Sequence, residues 1–288
     1  MMFWQTARYR IALARPKVMG IVNITPDSFS DGGSHADTSS ALAHCEQLLK
    51  DGADILDLGA ESTRPGAVQV PVDEELARLL PVLREAVRLG VPVSVDSYKP
   101  RVMQAALDLG ADIVNDIWAL RWRDPVDPLD GRDVVAGHPA CGVCLMHMHG
   151  EPRTMQVHPM EGDVLPAVAR FLADAAQQLR GRGVAAERIV LDPGIGFGKT
   201  VAQNFSLLAR QGELLAPGYA LLAGWSRKSS LGAVAGLRPD STAPAGQHER
   251  MAPSIAAALL AVERGAALVR VHDVRETVQA LQVLAAIR

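Results

Sequence analysis

A chain of 288 residues in which 29 Lys and Arg face 32 Asp and Glu carries a formal charge of −3, which offers no basic surface for nucleic acid. Three cysteines, Cys45, Cys141 and Cys144, are too few and too unevenly placed for a disulfide scaffold and fit a reducing cytoplasm. Hydrophobic residues make up 48% and aromatics only 4%, so any core is aliphatic, and the length suits one α/β barrel.

The opening stretch MMFWQTARYRIALARPK interrupts its apolar residues with Gln5, Arg8, Arg10 and Arg15, so it does not read as a signal peptide. No apolar run along the chain approaches the ~20 residues needed to span a membrane. The first aliphatic run is KVMGIVN (17–23), ending at Asn23. KDGADILDLG (50–59) then ends a helical stretch at Gly52 and runs through short apolar residues to Asp57. The amphipathic segment DEELARLLPVLREAVRLG (73–90) predicts a helix, followed by PVSVDS (92–97) with Asp96 at its end. Pro100 suits the first turn of the next helix. DLGADIVNDI (108–117) repeats the helix-to-strand corner at Gly110 and ends its run at Asn115.

Between 119 and 142 the sequence is rich in Pro, Asp and Gly, so the helix expected there is short or irregular. GVCLMH (142–147) ends at His147, and VLPAVARFLADAAQQLRGRG (164–183) reads as a further helix. RIVLDPG (188–194), ALLAGWS (220–226) and ERGAALVRVH (263–272) complete the series, with runs ending at Asp192, Ser226 and Arg270. Gly52, Gly110 and Gly265 each fall where a helix must turn left-handed into a strand. The runs are too short for helices and too uniformly apolar for half-exposed strands, so they read as buried parallel strands. Eight alternations of strand and helix predict a single (β/α)8 TIM barrel, with a doubly wound open sheet as the alternative. A barrel gathers the polar run-ends on one rim, where barrel active sites form.

The segment LDPGIGFGKT (191–200) is not a phosphate-binding P-loop, because five positions before Gly198 stands Pro193 rather than glycine. Its glycines at 194, 196 and 198 also miss the G-x-G-x-x-G spacing. Following the sixth run, it is a rim loop in which Phe197 is pushed toward the cavity and Lys199 takes a structural role. His147 and His149 flank Met148, but no cysteine or carboxylate spacing completes a zinc site. Cys141 and Cys144 have no second pair, and Trp225 reads as packing.

Taken in order, MGIVNITPDSFSDGG (19–33), GAESTRPGA (59–67), VDSYKP (95–100), IVNDI (113–117), CLMHMHGEPRTMQ (144–156), LDPGIGFGKT, GWSRKSSLG (224–232) and VRVHDV (269–274) resemble the dihydropteroate synthase family from about residue 17 to the C-terminus. The resemblance implies a single barrel over 1–288, usually dimeric, that joins 6-hydroxymethyl-7,8-dihydropterin pyrophosphate to p-aminobenzoate in folate synthesis. It implies SN1-like loss of pyrophosphate and sulfonamides as inhibitors. It places Asp192, Asp96, Asn115 and Lys228 on the pterin ring, where a carboxylate suits paired ring donors. Asn23, Arg64, Arg270 and His272 take the pyrophosphate, with Asn23 the protein ligand of Mg²⁺, an ion that keeps waters and prefers oxygen. Phe29, Thr63, Pro65, Phe197, Lys228 and Ser229 form the p-aminobenzoate pocket, and Asp31 lies near the developing carbocation. The two early segments, TPDSFSDGG and STRPGA, are implied to be mobile loops. A corrinoid-linked methyltransferase of the related pterin-binding barrel, or a pterin-binding paralogue without activity, are the rival readings; neither is expected to keep Asn23, Arg64, Lys228 and Arg270 beside the R-P-G and S-R-K-S loops.

Overall fold

The computed structural model describes residues 2–24, 34–63, 66–237 and 249–287, apart from the side chains of 34–37. After a hairpin of β1 (Phe3–Gln5) and β2 (Arg10–Ala12), strand β3 (Lys17–Asn23) leads through α1 (Ser34–Lys50) to β4 (Ile55–Gly59). Helix α2 (Val72–Ala86) precedes β5 (Val93–Asp96), and α3 (Pro100–Asp108) precedes β6 (Ile113–Asp116). Then follow α4 (Gly131–Gly137), β7 (Gly142–Met146), α5 (Leu165–Arg180), β8 (Ile189–Asp192), α6 (Val201–Ala209) and β9 (Ala220–Ala223). The chain ends with α7 (Ser229–Val234), α8 (Met251–Glu263), β10 (Leu268–Val271) and α9 (Val274–Ala286).

Strands β3 to β10 pair in parallel, each with its sequence neighbour, and β10 returns to β3 to close the barrel. The closed order selects the barrel over the open sheet. Continuous apolar runs produce this because both faces of each strand are covered: β4, β6, β7, β8 and β9 are buried along their whole length. Outward residues such as Leu56, Leu58, Val95, Val143 and Leu191 pack on the helices. Inward ones, Met19, Ile55, Ile113, Cys144, Val190, Leu222 and Leu268, fill the lumen. Fully burying each such side chain stabilises the fold by ~1.5–3 kcal/mol. The corner glycines adopt the left-handed backbone the sequence calls for, at φ 101° for Gly52, 104° for Gly110 and 94° for Gly265.

The N-terminal hairpin is an element that the aliphatic pattern did not announce. It seals the base of the barrel: Trp4 is fully buried against the lumen cluster and its Nε1 donates to the Arg188 carbonyl at 2.9 Å. Arg8 fastens the same hairpin to the start of β6, its backbone N, Nε and Nη2 all donating to the buried Asp112 carboxylate. The irregular segment between β6 and β7 holds only the seven-residue α4, as its composition predicts. Its entry is set by Asp116, whose carboxylate accepts from the backbone N of Trp118 at 2.8 Å and Leu120 at 2.6 Å, across a turn with Ala119 and Leu120 both at positive φ.

Candidate active site

Five of the polar run-ends, Asp57, Asp96, Asn115, Asp192 and Arg270, crowd the C-terminal mouth of the barrel, but the eight do not all lie at one level. Asp57 is a correction to the even rim expected from sequence: β4 continues to Gly59, so Asp57 sits inside the mouth and is fully buried. Ser226 departs the other way, three residues beyond the end of β9.

Arg270 on β10 organises the mouth. Its Nε donates to Asp57 Oδ2 at 2.5 Å and its Nη2 to Asp96 Oδ2 at 2.6 Å. Asn115 Nδ2 donates to the same Asp57 oxygen at 3.1 Å. Four strands, β4, β5, β6 and β10, are thereby joined through one buried polar cluster. Asp57 Oδ1 has no hydrogen-bond partner among the described residues, a buried acceptor left open in a place where an unpaired polar atom is costly unless a ligand meets it. Burial pushes the Asp96 carboxyl up to about 7, Arg270 pulling against it and Asp57 adding to it. Neither Asp96 nor Asn115 caps the helix that follows it: Lys99 is at the N-cap of α3 and Asp130 at that of α4.

Asp192 ends β8 opposite this cluster. Its Oδ1 accepts from Gly194 N at 2.7 Å. Burial raises its pKa, while Lys228, Lys199 and Arg270 act in the opposite sense. Lys228 acts electrostatically on Asp96 as well, favouring the charged form of both carboxylates that face the mouth. The same ammonium stands 4.2 Å from the centroid of the Phe197 ring, a cation–π contact that makes Phe197 the floor under Lys228.

The loop LDPGIGFGKT explains how Phe197 reaches that place. A Cβ on Gly194, at φ 67°, would lie 1.9 Å from the His147 carbonyl oxygen, and one on Gly198, at φ 71°, 2.4 Å from that of His149. Only glycine lets the loop curl left-handed while lying directly on the backbone that follows β7. Lys199 is buried and spends its ammonium on the loop, donating to the carbonyls of Gly194 at 2.8 Å, Phe197 at 3.1 Å and His147 at 3.4 Å. It holds the loop's shape, as the sequence suggested.

Lys228 and Ser229 owe their positions to a neighbour that the sequence reading passed over. Arg227 has φ 60°, a left-handed conformation unusual outside glycine. It is held there by two bonds to the Asp273 carboxylate, from Nη2 at 2.6 Å and Nε at 3.2 Å, and by Arg227 N donating to Ser254 Oγ at 2.9 Å. The signal in the sequence was the pair of charged residues R and D in S-R-K-S and V-H-D-V. His272 joins the same corner, its Nδ1 3.0 Å from Ser226 Oγ, which in turn accepts from His272 N at 3.1 Å.

The remaining expected residues are dispersed. Asn23 ends β3 half-buried beside Gly59, whose Cα faces the Asp96 side chain. Thr63 lies half-buried beyond β4, and Ser229 is exposed at the start of α7. Phe29, Asp31, Arg64 and Pro65 lie outside the described residues. His147 does not line the mouth openly: it is buried edge-on against Phe171, with ring centroids 5.0 Å apart. Trp118 and Trp122 flank Tyr98 at 6.4 and 5.3 Å, in an apolar cluster with Met146, Met148 and Phe197 beside the mouth. Trp225 packs on Phe205, as expected of it.

A profile described as pterin binding enzyme matches residues 19–272 of the chain. Dihydropteroate synthase of Neisseria meningitidis serogroup B is 48% identical over 285 residues, covering 97% of this chain and 95% of its own. The chain belongs to the dihydropteroate synthase family. Among solved structures, the Burkholderia cenocepacia synthase complexed with 7,8-dihydropteroate is 50% identical with a TM-score of 0.86, covering 100% of this chain and 96% of its own. The Xanthomonas albilineans synthase with 4-aminobenzoic acid is 45% identical with a TM-score of 0.88, covering 99% and 98%. In this chain Asp96, Asn115, Asp192, Lys228 and Arg270 converge on the one mouth.

Proposed function

We infer that this chain condenses 6-hydroxymethyl-7,8-dihydropterin pyrophosphate with p-aminobenzoate to give 7,8-dihydropteroate and pyrophosphate, as a transferase of folate synthesis. The observation that carries the reading is the Arg270 cluster with Lys228 and Asp192 across from it: carboxylates, an amide and cations converge on one buried mouth. A pterin presents adjacent N–H donors beside a ring carbonyl. Asp192 accepts from those donors, Asp96 and Asn115 meet other ring heteroatoms, and Lys228 donates to the carbonyl side.

Loss of pyrophosphate requires positive charge where the leaving oxygens gather. Arg270, His272 and Arg64 supply it, and the SN1-like cation left on the methylene is shielded by apolar walls and faced by carboxylates that include Asp31. The amine of p-aminobenzoate then attacks, its ring lying against Phe197 with Phe29, Thr63, Pro65, Lys228 and Ser229 completing the pocket. Among the described residues no three His, Cys, Asp or Glu side chains cluster as a metal cage. The single amide oxygen of Asn23 fits Mg²⁺, which keeps most of its waters; when bound, the ion supplies further charge neutralisation to the departing pyrophosphate.

Sulfonamides, which share the aniline and acidic end of p-aminobenzoate, are then competitive inhibitors. No helix among the described residues is long and apolar enough to cross a membrane, and a cytoplasmic enzyme suits its three reduced cysteines. A homodimer is the assembly that the family resemblance implies, and Val234, Leu260, Val283 and Ile287 are exposed apolar side chains on or beside α7, α8 and α9. Purified protein given both substrates and Mg²⁺ is expected to release pyrophosphate and form dihydropteroate. Folded protein that does neither would overturn the reading.

A further inference from the structure

A second charged cluster lies outside the mouth, between β5 and the segment that joins β4 to α2. Pro100 restricts the residue before it to extended backbone, and Lys99 accordingly has φ −91° and ψ 119°. Its side chain is 1% exposed. The ammonium donates to Glu61 Oε2, to the Val70 carbonyl, and to Glu75 Oε2 at 2.6 Å. Those acceptors sit on three different pieces of chain. Glu61 is on the limb leaving β4, Val70 is on the limb returning to α2, and Glu75 is in the first turns of α2. Tyr98 OH donates to the other Glu61 oxygen at 2.8 Å, and Arg78 Nη1 reaches the Ala60 carbonyl at 3.3 Å.

Burying one ammonium with two carboxylates costs desolvation that an apolar tie would avoid. The Glu75 carboxyl bears that cost, burial raising its pKa against the pull of Lys99. The directional bonds achieve something an apolar contact does not: they fix both limbs of the 60–71 connection in register with one another. They also fix them to the strand that carries Asp96 three residues earlier, so the pterin-facing strand and this connection share one anchor.

We propose that Lys99, with Glu61, Glu75 and Tyr98, is a positioning cluster that sets the placement of Thr63 for p-aminobenzoate, independently of pterin binding. The inference rests on the proposed function. Lys99→Met keeps the length of the stem and removes the ammonium. It is expected to raise the KM for p-aminobenzoate at least tenfold while the Kd for dihydropterin pyrophosphate, measured by calorimetry, changes less than twofold. A folded variant with an unmoved p-aminobenzoate KM, or one that loses pterin affinity equally, overturns the inference.

Tyr98→Phe deletes only one hydrogen bond and serves if Lys99→Met does not fold; about a threefold rise in the same KM is expected, and no rise overturns the inference. In Lys99→Met combined with Glu75→Gln, removal of an unpaired buried charge is expected to recover thermal stability while the KM stays high. Recovery of both reduces the cluster to a stability element and overturns the inference. Wild-type protein without turnover overturns this inference and the proposed function together, whereas active wild type with unmoved variants overturns this one alone.

Discussion

Arg227 shows how a single backbone conformation is used to aim a working side chain. A left-handed arginine costs roughly 1–2 kcal/mol, and the paired bonds to Asp273, itself 8% exposed, offset it. In Arg227→Ala the strain persists while the buried carboxylate loses its partner, which costs on the order of 3 kcal/mol. The expected result is a clear fall in the denaturation midpoint together with weaker pterin binding, because Lys228 is the next residue. Lys228→Ala separates the two effects. Its half-buried ammonium lies over Phe197 and acts through space on both Asp96 and Asp192. Stability is therefore expected to change little, while pterin affinity in calorimetry falls at least tenfold, the ~1.4 kcal/mol or more of a hydrogen bond to a charged donor. Unchanged affinity would remove Lys228 from the pterin site.

At the scale of elements, the barrel strands and their polar ends were legible because a parallel strand buried on both faces leaves an unmistakable apolar run, and a left-handed corner leaves a glycine. The β1–β2 hairpin left no such mark. Its strands are three residues long, and the burial of Trp4 depends on a lumen assembled from residues as distant as Leu268. Asp57 looked like a rim residue because the apolar run pauses there, although the strand itself does not. The Lys99 cluster was hidden for a related reason: Glu61, Glu75 and Lys99 are charged residues of types that usually face water, and only the fold brings them together. Trp4 allows a test of the hairpin as a separate element. Trp4→Ala empties the base of the barrel and deletes the bond to Arg188, for an expected loss of ~3–5 kcal/mol. The active mouth is at the other end, so kcat/KM per folded molecule, assayed at low temperature where the variant remains native, is expected to stay within a few-fold of wild type. A collapse of activity without loss of fold would mean that the base and the mouth are coupled.

For the molecule as a whole, the many ionisable groups buried around the mouth make stability depend on pH in opposing ways. His147 is the clearest contributor. Its imidazole is buried, Nδ1 has no hydrogen-bond partner among the described residues, and burial together with the nearby charges of Lys199 and Arg121 lowers its pKa to about 3. The unfolded chain takes up a proton at the ordinary histidine value near 6.5 while the folded chain does not, so between about 6.5 and 3 the unfolded state binds more protons and folding weakens as pH falls. Asp96 and Asp116, both raised to about 7, act in the other direction. There the folded state retains protons that the unfolded state releases above about 4, so stability from these groups grows as pH falls from about 7 to 4. Because the two trends overlap, the whole-protein profile is expected to be flatter than either, and the informative quantity is a difference. His147→Leu removes the titrating ring while keeping an apolar side chain against Phe171. Chemical denaturation at stepwise pH is expected to show the variant gaining on wild type progressively below about pH 6.5, by up to several kcal/mol near pH 4. A difference that stays constant with pH would mean that the folded state protonates His147 as readily as the unfolded chain does, and that the ring is not sealed behind the mouth.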